Sequence, residues 1–429
     1  MDAAAIALIV VLITAMALGF EITWSLGLAC VVAVLIDPKL SFVVVSQRIF
    51  ANSNSFSMLA IPAFMLAGDI MSKGGLSKRL VNFADSLVGW ISGGISLVSI
   101  VACTFFAAIS GSAVADMSAI GTLLVPKMEE EGYDTDFSSA LTAAASVIGP
   151  IIPPSIPMVV YASIMGTSVG AMFLGGVVPG VLLGLSLCVI SRFICKKHGY
   201  GTIGEKIPNK EKGKIVLKAI PAILMPVIIL GGIFSGTFTP TEAAAIACLY
   251  SLLIGFFYYR NVTPSLLWRT LRDSMVSAAG IYLIIGIAKP FSWLVAMTHL
   301  ADTVSAGMAA ITDNKFVMLL ILNLILLILG CLMESTANIL IFAPLLIPIA
   351  TAMGVDPLHI GVIFVLNLMM GVATPPFGIC LFIGANQTGR PLGKIFKAVL
   401  PLVGAEIIIL LICTYLPFLV TGLPRLLGY

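Results

Sequence analysis

The stretch Ile109-Ser110-Gly111-Ser112-Ala113-Val114-Ala115-Asp116 decides how this chain is read. It sets two hydroxyls, a glycine and a carboxylate inside a run, Phe105 to Ser155, that is otherwise membrane-apolar. A carboxylate in hydrocarbon is costly, so a polar turn there marks a functional site by default. A second interruption follows at Gly149-Pro150-Ile151-Ile152-Pro153-Pro154-Ser155. Proline removes backbone donors and glycine loosens a helix, so the helix opens there.

The pair of interruptions recurs. Sliding the sequence by 222 positions lays Leu123-Leu124-Val125-Pro126 on Leu345-Leu346-Ile347-Pro348. The same shift puts Gly132 on Gly354, Asp134 on Asp356, Gly149 on Gly371, and Pro153-Pro154 on Pro375-Pro376. It also lays Ser112 on Glu334 and Asp116 on Asn338, so the second turn, Glu334-Ser335-Thr336-Ala337-Asn338, is polar too. Chance is a poor explanation for so many breakers on one register. Two copies of an interrupted membrane unit point to a transporter's binding site.

Composition sets the class. The 429 residues are 59% hydrophobic and 10% charged, with a mean hydropathy of +1.12. Soluble domains carry about 25% charge, so this is an integral membrane protein. Apolar stretches punctuated by Gly and Pro mean helices, and the alternation of an outer-membrane barrel is missing. The length allows roughly ten to twelve membrane helices. The longest polar linker is too short to be a soluble domain, and the net charge of +3 says little. The eight cysteines are scattered singly without a CxxC, as small buried or lipid-facing residues. Met1-Asp2-Ala3 lacks the basic region of a cleavable signal, so the first apolar stretch is expected to stay as helix.

The expected organisation is an all-α inverted repeat. Residues 1–200 form the first unit, with a re-entrant hairpin at about 92–130 and a broken helix at about 135–170. Residues 201–218 are a linker, and 219–429 repeat the plan, with a hairpin at about 316–352 and a broken helix at about 358–384. Ala3 to Ile36 reads as two short helices turning near Gly19, or as one steeply tilted helix. Each hairpin arm is expected to cross about half the membrane, and Leu392 to Val420 to form one last helix. Arg192 to Lys218 holds eight cations (Lys206 among them) against Glu205 and Glu211, so the positive-inside rule makes it cytoplasmic. Lys73, Lys78, Arg79 and Lys127 flank the first hairpin, and Asp313, Lys315, Asp356 and His359 flank the second. That asymmetry predicts entry from opposite faces.

Hairpin tips meeting broken helices suit two ligand classes. Helix N-termini favour a carboxylate, and broken C-terminal ends offer carbonyl oxygens to a small hard cation such as Na⁺. The first constellation is Ser110, Gly111, Ser112 and Asp116 with Ser146 and Gly149; its mate is Glu334, Ser335, Thr336 and Asn338 with Asn367, Gly371 and Thr374. Ser155 and Ser168 are further substrate-contact candidates. The competing reading is that these small residues serve helix packing, and that Glu334 holds a helix junction by accepting backbone N–H groups. Packing does not explain a mid-membrane carboxylate. Glu242 in Thr239-Pro240-Thr241-Glu242 reads first as a helix cap, Glu21 and Asp69 as interfacial or helix-end residues, and Lys289 as a snorkelling lysine or a counter-ion. His198, His299 and His359 fall near predicted loops, far apart, so metal binding is not expected.

Enzyme chemistry is disfavoured. Ser112 has no membrane-embedded histidine as base, the two glycine-aspartate pairs of an intramembrane aspartyl protease are missing, and no Walker or zinc motif appears. A pore is disfavoured because duplicated dead-end hairpins suit an occluded site better than a continuous lumen.

Ser110-Gly111-Ser112-Ala113-Val114-Ala115-Asp116, the Leu-Pro pairs after each hairpin, Gly149–Pro154 and Gly371–Pro376 together resemble a known family. Over nearly its whole length the chain is similar to the large membrane subunit of a tripartite ATP-independent periplasmic (TRAP) transporter, within the ion-transporter superfamily. The resemblance implies a scaffold domain and a transport domain that move as an elevator in a bacterial inner membrane. It implies a small four-helix membrane subunit as a separate chain, and a periplasmic substrate-binding protein that delivers an organic acid. Na⁺ is then the coupling ion, with its sites in the Ser110/Gly149 and Glu334–Asn338/Gly371 regions and substrate contacts including Ser112 and Asp116. Overall likeness leans to sialic acid over a C4-dicarboxylate. The alternative is a stand-alone Na⁺- or H⁺-coupled carboxylate transporter of the superfamily. Nucleic acid is not an expected partner.

The repeat generates a test of topology. Single cysteines at Glu130 and Asp313, in a background without native thiols, are expected to label from opposite membrane faces; labelling of both from one face contradicts the inversion.

Overall fold

In a computed structural model, which describes residues 3–53, 56–201, 208–309, 312–376 and 378–429, helices account for the regular structure. Helices α1 (Ala3–Ala17) and α2 (Ile22–Ile36) reverse at Gly19, whose φ is +86°, so the opening stretch is two helices. Next come α3 (Phe42–Ser53), α4 (Ala60–Lys73) and the short α5 (Leu76–Val88). The first hairpin is α6 (Gly94–Ser110) and α7 (Ala113–Glu130); the first broken helix is α8 (Thr135–Ser146) and α9 (Ile156–Met165). Helix α10 (Val169–His198) closes the first half. The second half runs α11 (Asn209–Phe234), α12 (Pro240–Leu253), α13 (Pro264–Met297) and α14 (Leu300–Ala309). Its hairpin is α15 (Lys315–Leu332) and α16 (Ser335–Ala352), and its broken helix is α17 (Pro357–Gly371) and α18 (Ile379–Thr388). Helices α19 (Leu392–Tyr415) and α20 (Phe418–Leu426) end the chain.

The sequence shift of 222 is also the shift of the helices. It carries Ala113–Glu130 onto Ser335–Ala352 residue for residue, and Gly94–Ser110 onto all but the first residue of Lys315–Leu332. Seven helices among the described residues are long and apolar enough to cross a membrane, and six more are apolar but only 10–17 residues long. Three of the six, Gly94–Ser110, Ile156–Met165 and Pro357–Gly371, have one end at a hairpin tip or a break. The outer surface is apolar, with Trp24, Phe193 and Ile328 each at least 60% exposed. That inverts the arrangement of a water-soluble chain and suits a lipid solvent.

Several boundaries depart from expectation. Helix α11 starts at Asn209, so Lys210, Lys212, Lys214 and Lys218 of the linker lie on a helix; Glu205 and Lys206 lie outside the described residues. Pro208 supplies the start, and the Lys/Glu turns are good helix formers. The last stretch is two helices because Pro417 forces Leu416 out of the α region, to φ −117° and ψ 77°. The hairpin arms, of 17 and 18 residues, are each about 26 Å long, longer than half a membrane. His359 lies two residues into α17, near the preceding turn as expected, but its side chain is buried, with Nε2 2.9 Å from the Cys413 carbonyl.

The halves are interlocked. Arm α7 packs on α18 of the other half's broken helix, and α16 packs on α9 of the first. Tyr161 of α9 lies 6.0 Å from Phe364 of α17, and Gly361 admits the Tyr161 ring, which a side chain there would strike. A bidentate pair ties α8 to the α18–α19 connection, Arg390 Nε and Nη2 donating to the Asp136 carboxylate at 2.7 and 2.9 Å. Asp136→Asn is expected to cost about 1–3 kcal/mol through the lost charge-assisted bonds, read as a lowered unfolding midpoint in detergent.

Candidate functional site

Helix α6 ends because Gly111 takes φ +61°, its N–H returning to the Ala107 carbonyl at 3.1 Å. Only glycine suits this point on two counts: a side chain there would also run into the Pro154 carbonyl of the broken helix. Ser112 is extended and caps α7, its Oγ accepting from the Ala115 N–H at 3.4 Å. Ser110 Oγ accepts from the Ser112 N–H at 3.3 Å and donates to Asp116 Oδ1. Asp116 is wholly buried, and its Oδ2 has no hydrogen-bond partner. That oxygen faces Gly149, where any side chain would overlap it. The glycine of the broken helix is therefore the space into which the hairpin's carboxylate fits.

The second tip solves the same problem with a longer side chain. Glu334 caps α16, Oε2 accepting from the Ala337 N–H at 3.1 Å while Ser335 and Thr336 hydroxyls donate to Oε1 at 3.1 and 2.9 Å. The helix-junction role weighed for Glu334 is thus its observed one. Asn338 donates to the Leu329 and Met333 carbonyls at 2.9 and 3.2 Å, leaving Oδ1 buried and unpartnered. Register mates Asp116 and Asn338 thus each keep one orphaned buried oxygen. Buried polar atoms are normally paired, and two orphans on one register fit an oxygen-ligated cation that would complete them.

The tips meet. Ser110, Gly111, Ser112, Glu334, Ser335 and Thr336 wall a single cavity of about 210 Å³. Glu334 also borders an adjoining cavity of about 390 Å³, together with Gly371. Asp116, Gly149 and Asn338 stand behind this wall. Ser146 donates to the Ala143 carbonyl at 2.7 Å, and Thr374 to that of Met370 at 2.7 Å. Ser155 caps α9 and donates to the Pro150 carbonyl, closing the break. Ser168 caps α10 and lines a separate cavity with Thr167, Thr239 and Tyr429. Asn367 donates to Asn323 at 2.9 Å, inside the α15–α17 contact. Gly371 lies against Gly330, where a side chain would strike backbone.

Sequence reading missed Asp69. It lies four residues before the end of α4, lines the 210 Å³ cavity and accepts from Ser274 at 2.5 Å. Its signal was a lone acid within an apolar helix. The same signal marks Glu406 of α19, fully buried with both oxygens unpartnered. Lys289 donates to the Ser163 and Ile164 carbonyls at 3.3 and 3.2 Å, capping the end of α9, and Glu242 forms a capping box with Thr239.

A duplicated hairpin and broken helix whose polar tips meet at one cavity in a lipid-facing helical shell is the architecture of a secondary transporter. The chain belongs to the family described as the tripartite ATP-independent periplasmic transporter, DctM component, which matches residues 9–419. It is 39% identical to the sialic acid TRAP transporter large permease protein SiaM of Vibrio cholerae, over 96% of each chain. It is 38% identical to the C4-dicarboxylate large permease DctM of Pseudomonas aeruginosa, over 94% of each. It is 40% identical to the isethionate permease DctMQ of Oleidesulfovibrio alaskensis, over 93% of this chain and 63% of that one. In fold it is similar to the Alcanivorax borkumensis YdaH transporter, with a TM-score of 0.65, 17% identity and 89% of each chain covered. The protein is a multi-pass membrane permease subunit, not an enzyme.

The Gly149–Asp116 fit is open to a double-mutant cycle. Gly149→Ala is expected to cost about 1–3 kcal/mol by overpacking, whereas Gly393→Ala, in open space, changes little. In an Asp116→Ala background the Gly149→Ala cost should largely vanish, a coupling read from unfolding midpoints.

Proposed function

We propose that the chain is the transport-site subunit of a Na⁺-coupled importer of an organic acid anion. The observation that carries this reading is the single cavity walled by both hairpin tips. The cavity is small and brings the Ser110 and Ser112 hydroxyls and the N-terminal ends of α7 and α16 to one wall; because Asp69 and Glu334 line it too, an anionic head group is held there with a cation beside it. The orphaned side-chain oxygens of Asp116 and Asn338 each offer a ligand suited to Na⁺. Ser110, Gly111, Ser146, Gly149, Glu334, Thr336, Asn338, Gly371 and Thr374 are the regions from which the cation's ligands are drawn. Ser112, which lines the cavity, stands nearest the substrate in this reading, with Asp116 behind it and joined to the wall through Ser110.

Relatives named for sialic acid, C4-dicarboxylate and isethionate are 39%, 38% and 40% identical to the chain, so identity does not separate these cargoes. What they share is a small organic anion. The family implies a small membrane subunit and a periplasmic binding protein as partners, and the bacterial inner membrane as the location. The interlocked hairpins and broken helices would then travel as one body against the remaining helices, carrying substrate and Na⁺ together.

Reconstitution tests the proposal. Uptake of the anion bound by the cognate periplasmic protein is expected to need an inward Na⁺ gradient, the small subunit and the binding protein together. Asp116→Asn and Ser110→Ala should reduce it strongly while the protein still inserts. Uptake by this chain alone, or undiminished uptake without Na⁺ under a proton gradient, would show a different transporter.

A further inference from the structure

Away from the tips, a cavity of about 540 Å³ opens between the start of α5, Lys218 of α11 and the turn after α12. Its wall carries three cations, Lys78, Arg79 and Lys218, with the amides of Asn82 and Asn261, and no carboxylate. Among the described residues none of these cations joins an ion pair. Like charges gathered round one concavity repel unless an anion joins them.

The wall is fixed in place. The Arg79 guanidinium lies 3.8 Å from the Tyr259 ring centroid and donates through Nη1 to the Gly75 carbonyl at 2.9 Å. The Tyr259 hydroxyl donates to the Lys218 carbonyl at 3.0 Å, and Asn261 Nδ2 to that of Gly74 at 3.1 Å. A π-helical turn, Ile254–Tyr258, immediately precedes Tyr259. One Arg79 donor is spent on Gly75, and the remaining fork is of the kind that grips phosphate bidentately.

The surroundings discriminate between sources of phosphate. Leu249, Leu253 and Phe257 recur at four-residue spacing and are exposed, Phe257 by 74%, and Leu217 beside Lys218 is exposed by 62%. The cavity thus opens beside a lipid-facing surface, which puts a phospholipid head group within its reach and leaves room for the attached acyl chains. Basic pockets between membrane helices take anionic lipid head groups.

We propose that this cavity binds the phosphate group of an anionic phospholipid, with the acyl chains lying along Leu249, Leu253 and Phe257. The occupant would pin the start of α5 to the α12–α13 connection. This inference is independent of the transport reading, because it uses none of the tip residues.

The test uses the purified full chain in detergent, with phosphatidylglycerol, phosphatidylcholine and inorganic phosphate as separate probes. Retained lipid is read by native mass spectrometry and protection by the unfolding midpoint. Phosphatidylglycerol is expected to be retained in preference to phosphatidylcholine. Each cation removed should weaken retention about fivefold, so Lys78→Gln with Lys218→Gln should weaken it roughly 25-fold. Both lysines are exposed, so this variant should match the wild-type midpoint without lipid. Arg79→Lys, which keeps the charge but loses the fork, should weaken retention on its own. Equal retention of the two lipids, or undiminished retention in both variants, overturns the proposal. Protection by inorganic phosphate alone, with no lipid preference, overturns the lipid source in favour of a soluble phosphate.

Discussion

A chain solvated by hydrocarbon must satisfy each backbone N–H and C=O from within itself. Where a helix stops in mid-chain, several such groups are released at once, and the structure is organised around closing them. Ser112 and Glu334 sit on the same repeat position and close the same N–H, three residues on, at 3.4 and 3.1 Å. Ser155 does so for α9 and also binds the Pro150 carbonyl across the break. Once caps have met these needs, the oxygens left over stand out. Asp116 Oδ2 and Asn338 Oδ1 are buried, unpartnered and related by the repeat.

Close approach follows from the same constraint. An irregular tip survives in the membrane only when protein covers it, and small residues let the cover come near. Gly68 of α4 leaves only 3.0 Å between an added Cβ and the Ile109 carbonyl, Gly111 abuts Pro154, and Gly371 abuts Gly330. The packing and functional readings of these glycines are therefore not alternatives. A glycine that brings one backbone onto another also defines how large the space between them is.

Charge is placed with similar economy. Asp69 and Glu334 line a cavity, Asp116 meets a glycine and Glu406 is buried without a partner, whereas three cations gather round the cavity flanking α5. Lys289 is the exception inside the shell, and it is held by the carbonyl end of α9. Residues that look alike in composition thus separate by what surrounds them: Lys289 closes a helix, while Lys78 and Lys218 have no carboxylate to answer them.

The sequence by itself determined the class, the repeat and the two tips. Breakers and polar residues in an apolar background are strong one-dimensional signals, and a shift of 222 aligned helices as it aligned prolines. It also gave the capping role of Glu242 from four consecutive residues. Only the tertiary structure decided which oxygens share a space. Ser110 and Glu334 are far apart in sequence yet wall one cavity, whereas Ser168, nearer to Ser110 along the chain, lines another. The cavity beside Asp69 was not legible because one helix carries no record of what packs on it; α13 supplies Ser274, and the hairpin tips supply the cavity. Caps and breaks are local, set by neighbours within four or five residues. A site is a coincidence of distant segments, and packing alone brings those segments together.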